Sequence, residues 1–161
     1  EIALKSHNTP SAIALSRQKV PYINPNNSKK NKCENGAYIV SLTSHESNVT
    51  LIASGTEVEL ALKIQDKLKD NSIHSKVVSM PCMELFDKQT EEYKKDIIED
   101  DSLVVTIEAG SITHWQKYSK NKGLNIGIDR FGESAPYKEV YSHFNLVEEK
   151  VVNLIQKKLR E

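Results

Sequence analysis

VTLIASGTEVELALKIQDKL, residues 49–68, changes its hydrophobic period halfway along. The first five residues form a continuous β-branched and apolar run, the pattern of a strand buried on both faces. SGTE then turns the chain, with Thr56 placed as an N-cap and Glu59 three residues on as its capping-box partner. From Val58 onward Ala61, Leu62, Ile64 and Leu68 recur at helical spacing and supply one apolar face. The stretch therefore reads as a βα unit.

The same alternation continues on either side. YIVSL (38–42) reads as an edge strand, and KVVSM (76–80), LVVTIE (103–108) and LNIGID (124–129) as further strands. PCMELFDKQ (81–89) has no period and is read as irregular. Helices are predicted over about 90–98, through His114, Trp115 and Tyr118, after Ser134 with Pro136 in the first turn, and after Asn145. The last carries a second cap-and-carboxylate pair, Asn145 and Glu148, and an apolar row of Val147, Val151, Ile155 and Leu159. Strands alternating with helices imply a three-layer α/β sandwich, a mostly parallel sheet covered by helices on both faces.

The chain of 161 residues is long enough for one ordinary domain and a short appendage. Apolar residues make up 38% and charged residues 27%, a mixture that folds rather than stays disordered. Twenty-two basic side chains balance 22 acidic ones, so no basic footprint points to nucleic acid or an anionic membrane. No apolar run is long enough to span a bilayer. Cys33 and Cys82 lack metal-ligand spacing and are too few for a disulfide framework; they read as thiols in a reducing, cytoplasmic setting.

TPSAIALSRQKVP (9–21) stands apart from this alternation. It reads as a buried strand ending on Arg17, after which the segment 24–36, rich in Asn and Lys, reads as a solvated linker. An arginine at the end of a strand can fork onto a phosphate or carboxylate, although by the residues alone an ordinary ion pair is the favoured reading.

Ligands of parallel sheets sit beyond the carboxyl ends of the strands. Those ends carry Ser54, Gly55, Thr56 and Glu57, then Glu108, then Asp129 and Arg130. Two readings are open: a small-molecule pocket, or residues that cap helices and pair with one another. Glu57 favours the second, since it would repel the anion that a helix N-terminus attracts. Ser16-Arg17-Gln18-Lys19 fits S-x-x-K without a companion motif. His7, His45, His74, His114 and His143 have no metal-binding spacing, and the six glycines form no phosphate loop, which a flavodoxin-like ligand domain would need.

TPSAIALSRQ, LIASGTEVELAL, VVSMPCMELFDKQTEEYK and GIDRFGESAP, in this order and at these separations, resemble the C-terminal quarter of transketolases. The resemblance implies that residues 1–23 are the tail of a missing pyrimidine-binding middle domain, 24–36 a linker and 37–161 the C-terminal domain. It implies that Arg17, in the family's SRQ motif, binds the phosphate of the sugar substrate. It implies for the full-length, homodimeric enzyme a two-carbon ketol transfer between sugar phosphates, dependent on thiamine diphosphate and Mg (or Ca), in the pentose phosphate pathway. Catalytic, cofactor and metal residues are then expected outside this chain, which alone is expected to be inactive and to hold no cofactor. The alternative is a non-catalytic docking or regulatory module like that of 2-oxoacid dehydrogenase β subunits.

Overall fold

The structure is a computed structural model that describes residues 1–23, 32–99, 101–120 and 122–161. Five strands form one sheet: β1 (Tyr38–Leu42), β2 (Val49–Ala53), β3 (Ser75–Ser79), β4 (Leu103–Ile107) and β5 (Leu124–Ile126). Their spatial order is β1-β3-β2-β4-β5. β2 lies centrally and pairs in parallel with β3 (Leu51 opposite Val77) and with β4 (Leu51 opposite Val105), and β4 pairs in parallel with β5. β1 is antiparallel to β3, with a register irregularity between Ile39 and Ser41. The expected edge strand is therefore an edge, and β2 is buried at all five positions.

The helices are α1 (Ile2–Lys5), α2 (Glu57–Asp70), α3 (Met83–Asp87), α4 (Glu91–Ile97), α5 (Gln116–Ser119), α6 (Tyr137–His143) and α7 (Glu148–Lys158), with a 3-10 turn at Lys32–Asn35. Because side chains of a strand alternate between faces, β2 serves two cores. Val49, Leu51 and Ala53 join Val77, Val105 and Ile107 against Ile64 and Leu68 of α2, Leu146 between α6 and α7, and Val151 and Ile155 of α7, with Val140 and Tyr141 of α6 packed alongside. Ile52, Val78 and Val104 face the opposite layer, where Phe86, Ile97 and Tyr118 come from α3, α4 and α5 and Trp115 immediately precedes α5. Phe86 lies near the rings of Tyr93, 6.4 Å away edge-on, and Tyr118, 5.8 Å away and tilted. The three-layer α/β sandwich is thus observed.

Several polar side chains inside the buried strands are paired, while Ser75 Oγ at the start of β3 is buried without a hydrogen-bond partner among the described residues. Thr50 meets Ser102 at 2.7 Å, and Thr106 donates to Asn125 Oδ1 at 2.7 Å across the β4–β5 pair. Lys76, only 1% exposed, reaches Glu99 Oε1 at 2.6 Å and the carbonyl of Asp96, in the last turn of α4, at 3.0 Å. Unpaired, such a buried ammonium would be costly.

Several local expectations fail for identifiable reasons. PCMELFDKQ contains the short helix α3, whose Phe86 anchors the second core, so tertiary burial supplies what its local pattern lacks. Thr56 precedes α2 but donates its hydroxyl to Glu57, so no capping box forms and Glu59 pairs with Lys63 at 2.9 Å. Asn145 does not cap α7: it takes φ 59° after α6, a left-handed turn that Asn tolerates, and Val147 is the N-cap. Leu159 remains 41% exposed beyond the buried Val151 and Ile155.

The run 9–16 is not a strand. It pairs with none of the five strands and leaves Ile13 72% and Leu15 87% exposed, since a strand needs both a ladder partner and apolar cover. Within the segment expected to be a linker, 24–31 lie outside the described residues, while 32–36 fold back onto the domain. Gly36, at φ 80°, exchanges backbone bonds with the Cys33 carbonyl and the Cys82 amide, and a Cβ there would stand 2.2 Å from the Phe86 nitrogen.

Candidate functional site

Ser54 and Glu108 directly follow β2 and β4, neighbouring parallel strands, so the sheet itself brings them together. Ser54 Oγ donates to Glu108 Oε2 at 2.9 Å. One turn later Glu57, 4% exposed, accepts from Thr56 Oγ1 at 2.6 Å and from the Tyr141 hydroxyl in a short bond. Thr56 and Tyr141 oxygens also lie 3.3 Å apart. Burial pushes the Glu108 carboxyl up, the nearby charge of Glu57 adds to this, and the Ser54 hydroxyl opposes it. Burial, followed by the bond to Glu57, pushes Tyr141 up to about 12, so at neutral pH the phenol keeps its proton and donates.

Two carboxyl groups are therefore served by three hydroxyls. Among the described residues Ser54 Oγ donates to Glu108 and has no hydrogen bond to a histidine or lysine, and Glu57 occupies the positive end of α2 where an anion would otherwise sit. Of the two readings open at the strand ends, mutual pairing fits this geometry.

Asp129 and Arg130 serve a different set of bonds. Asp129 Oδ1 accepts from the Ile112 amide at 3.2 Å and from Ser111 Oγ at 3.4 Å, while the Ile128 amide donates to the Gly110 carbonyl. Arg130 Nη2 lies 3.0 Å from His143 Nε2, a contact that requires that nitrogen to be unprotonated, and its guanidinium sits 4.9 Å over the Phe144 ring. These residues hold the two loops after β4 and β5 to one another and to the end of α6.

Arg17 is exposed, as are Ser16 and Lys19. The chain beyond it touches the domain: Gln18 is half-buried, Ile23 packs against the first core, and Gln18, Lys19 and Val20 wall a cleft of about 340 Å³ with Thr56, Tyr137 and Tyr141. A wider depression of about 750 Å³ follows β1 beside Tyr93 and Ile97, away from the strand ends. Cys33 and Cys82 form no disulfide, and Cys82 donates to Glu84 at 3.4 Å.

Among the described residues no three His, Cys, Asp or Glu side chains gather as metal ligands, and no helix is long and apolar enough to cross a membrane. Among the described residues, those at the strand ends do not fit a diphosphate with its divalent ion, since Glu57 and Glu108 are engaged by hydroxyls there. Sequence reasoning passed over Tyr141, although a tyrosine four residues after Tyr137 on a predicted helix was a signal. A buried glutamate needs such a donor.

The family model described as "Transketolase-like TK C-terminal domain" matches residues 36–147. A transketolase of Aquifex aeolicus is 38% identical over 165 residues, covering 98% of this chain and 23% of that protein. The chloroplastic transketolase of Solanum tuberosum is 41% identical over 155 residues, covering 94% of this chain and 21% of that protein. A solved transketolase variant of Pichia stipitis superposes with a TM-score of 0.87 at 31% identity, covering 99% of this chain and 23% of its own. The chain spans about a fifth to a quarter of the length of these relatives.

Proposed function

The chain belongs to the transketolase-like C-terminal domain family, and from that premise we propose that it works as the C-terminal part of a transketolase. The complete enzyme moves a two-carbon ketol unit from a ketose phosphate to an aldose phosphate, and it works as a homodimer. Residues 37–161 are its C-terminal domain, 24–36 the linker and 1–23 the closing segment of the pyrimidine-binding domain. The observation that carries this reading is the superposition over 99% of the chain, which takes in residues N-terminal to β1 as well as the sandwich. Thiamine diphosphate and Mg (or Ca) supply the carbon-bond chemistry in the complete enzyme, held by groups outside residues 1–161.

Arg17 binds the sugar phosphate. Its exposure leaves the guanidinium available, and a planar fork suits a dianion better than a flexible ammonium does. A cytoplasmic setting is supported by cysteines kept as thiols, whereas the Solanum relative's name places that protein in the chloroplast. The docking-module alternative is not favoured, because the relatives described above are transketolases.

The test is Arg17→Ala in the full-length enzyme. Losing a charge-assisted contact worth about 2 kcal/mol lowers kcat/KM for fructose 6-phosphate about thirtyfold, while hydroxypyruvate, which has no phosphate, loses far less. Arg17→Lys recovers part of the activity. Equal losses for both donors would falsify the phosphate role.

A further inference from the structure

We propose that the loop after β5, residues 129–136, is the surface on which the preceding domain of the same chain seats, with Phe131 inserted into an apolar pocket of that domain. This rests on the reading of the chain as the C-terminal part of a transketolase.

Exposed apolar side chains single out the loop. Among the described residues of 37–161, the large hydrophobic side chains more than half exposed are Phe131, at 97%, and Tyr137, at 52%. The others exposed to that degree, Leu4, Ile13, Leu15 and Tyr22, all lie in the tail that the preceding domain contributes. A single exposed apolar residue is ordinary, whereas a set confined to the two sides of one junction marks a missing cover.

The loop is tethered at its ends and unsupported between them. Arg130 Nη2 lies 3.0 Å from His143 Nε2 and its guanidinium 4.9 Å over the Phe144 ring, and the Pro136 carbonyl accepts the Glu139 amide at 2.9 Å as α6 begins. Residues 129–139 are all exposed, and 131–135 make no hydrogen bond to the other described residues. A Cβ added at Gly132 would meet nothing within 4 Å.

The course of the chain names the occupant. Ile23 packs against the first core, as do Val140 and Tyr141 of α6, and Lys19 and Val20 border the same cleft as Tyr137 and Lys138. The tail thus arrives beside the first turn of α6, so the preceding domain abuts the sandwich before the linker begins. Six links separate Tyr137 from Phe131, a span of at most about 20 Å. A domain of 100 residues is about 35 Å across, wide enough to reach Phe131 from that point.

Two measurements test this. Phe131→p-benzoylphenylalanine in the full-length enzyme should, on illumination, crosslink to residues preceding Glu1 of the same chain, located by peptide mass, and leave the chain monomeric on a denaturing gel. Phe131→Cys in that enzyme should react with a maleimide about tenfold more slowly, or slower still, than in the 161-residue chain, where this side chain is exposed and the variant should melt as wild type does. Ketol transfer by the wild-type full-length protein is assayed alongside.

Crosslinks that join two chains assign the loop to the partner subunit and overturn the proposal. Equal maleimide rates in the two proteins, with ketol transfer intact, overturn it as well. A wild-type full-length protein without ketol transfer overturns the functional reading and the proposal with it.

Discussion

Lys76 and Glu99 form a pair whose two halves are unequally buried, and the asymmetry determines which deletion hurts. The lysine side chain is 1% exposed and the glutamate 37%. Glu99→Ala leaves an ammonium out of water with the Asp96 carbonyl at 3.0 Å as its remaining named partner. The C-terminal end of α4 favours a cation but does not neutralise it. Removing one partner of a buried pair costs about 3–5 kcal/mol, and the exposure of Glu99 places this case near 3.

Lys76→Met removes the charge instead, keeps an unbranched stem in the same apolar slot, and leaves Glu99 to turn into solvent. Its cost should be about 1 kcal/mol or less. The difference of about 2 kcal/mol corresponds to about 4–8 °C in Tm for a chain of this size. Urea unfolding of both variants and of the double variant checks this. The double variant should resemble Lys76→Met alone, because without the lysine the glutamate has little to lose. A Lys76→Met variant as unstable as Glu99→Ala would refute the reasoning.

Glu108 provides the pH test. Its pKa is raised, first by burial and then by Glu57, so the folded state holds this proton more tightly than the unfolded chain does. That contribution is fully present below the ordinary carboxylate range and is lost as pH rises through the raised value. Glu108→Gln should therefore melt higher than wild type at neutral pH, with the gap closing on acidification; a gap independent of pH would contradict the burial argument. Gly36→Ala should cost about 3 kcal/mol or more, since a left-handed backbone and collision with the Phe86 nitrogen combine, whereas Gly55→Ala, at φ 51° with nothing within 4 Å, should cost about 1 kcal/mol. Similar losses in denaturant titrations of the two variants would mean that α3 yields readily.

The sequence by itself determined the strands, the amphipathic helix α2 and the layered class, because these depend on period. A strand buried on both faces must be almost wholly apolar, as VTLIA and LVVTI are apart from one hydrogen-bonded threonine each, and a helix against a sheet must repeat its apolar residues every three or four positions. The motifs carrying the family resemblance were legible for the same local reason. What lay beyond them needed contacts between distant residues. Thr56 had the right spacing for a capping box, but Tyr141, 85 positions away, and the adjacent Glu57 recruit its hydroxyl. α3 has no periodic signal and exists because Phe86 finds the rings of Tyr93 and Tyr118. The apolar run before Arg17 has strand composition without a strand, since composition supplies propensity while only neighbouring backbone supplies a ladder. The cleft that Gln18 and Val20 line together with Tyr137 and Tyr141 is tertiary as well: α6 is more than a hundred residues away along the chain, and only packing on the sheet brings it there.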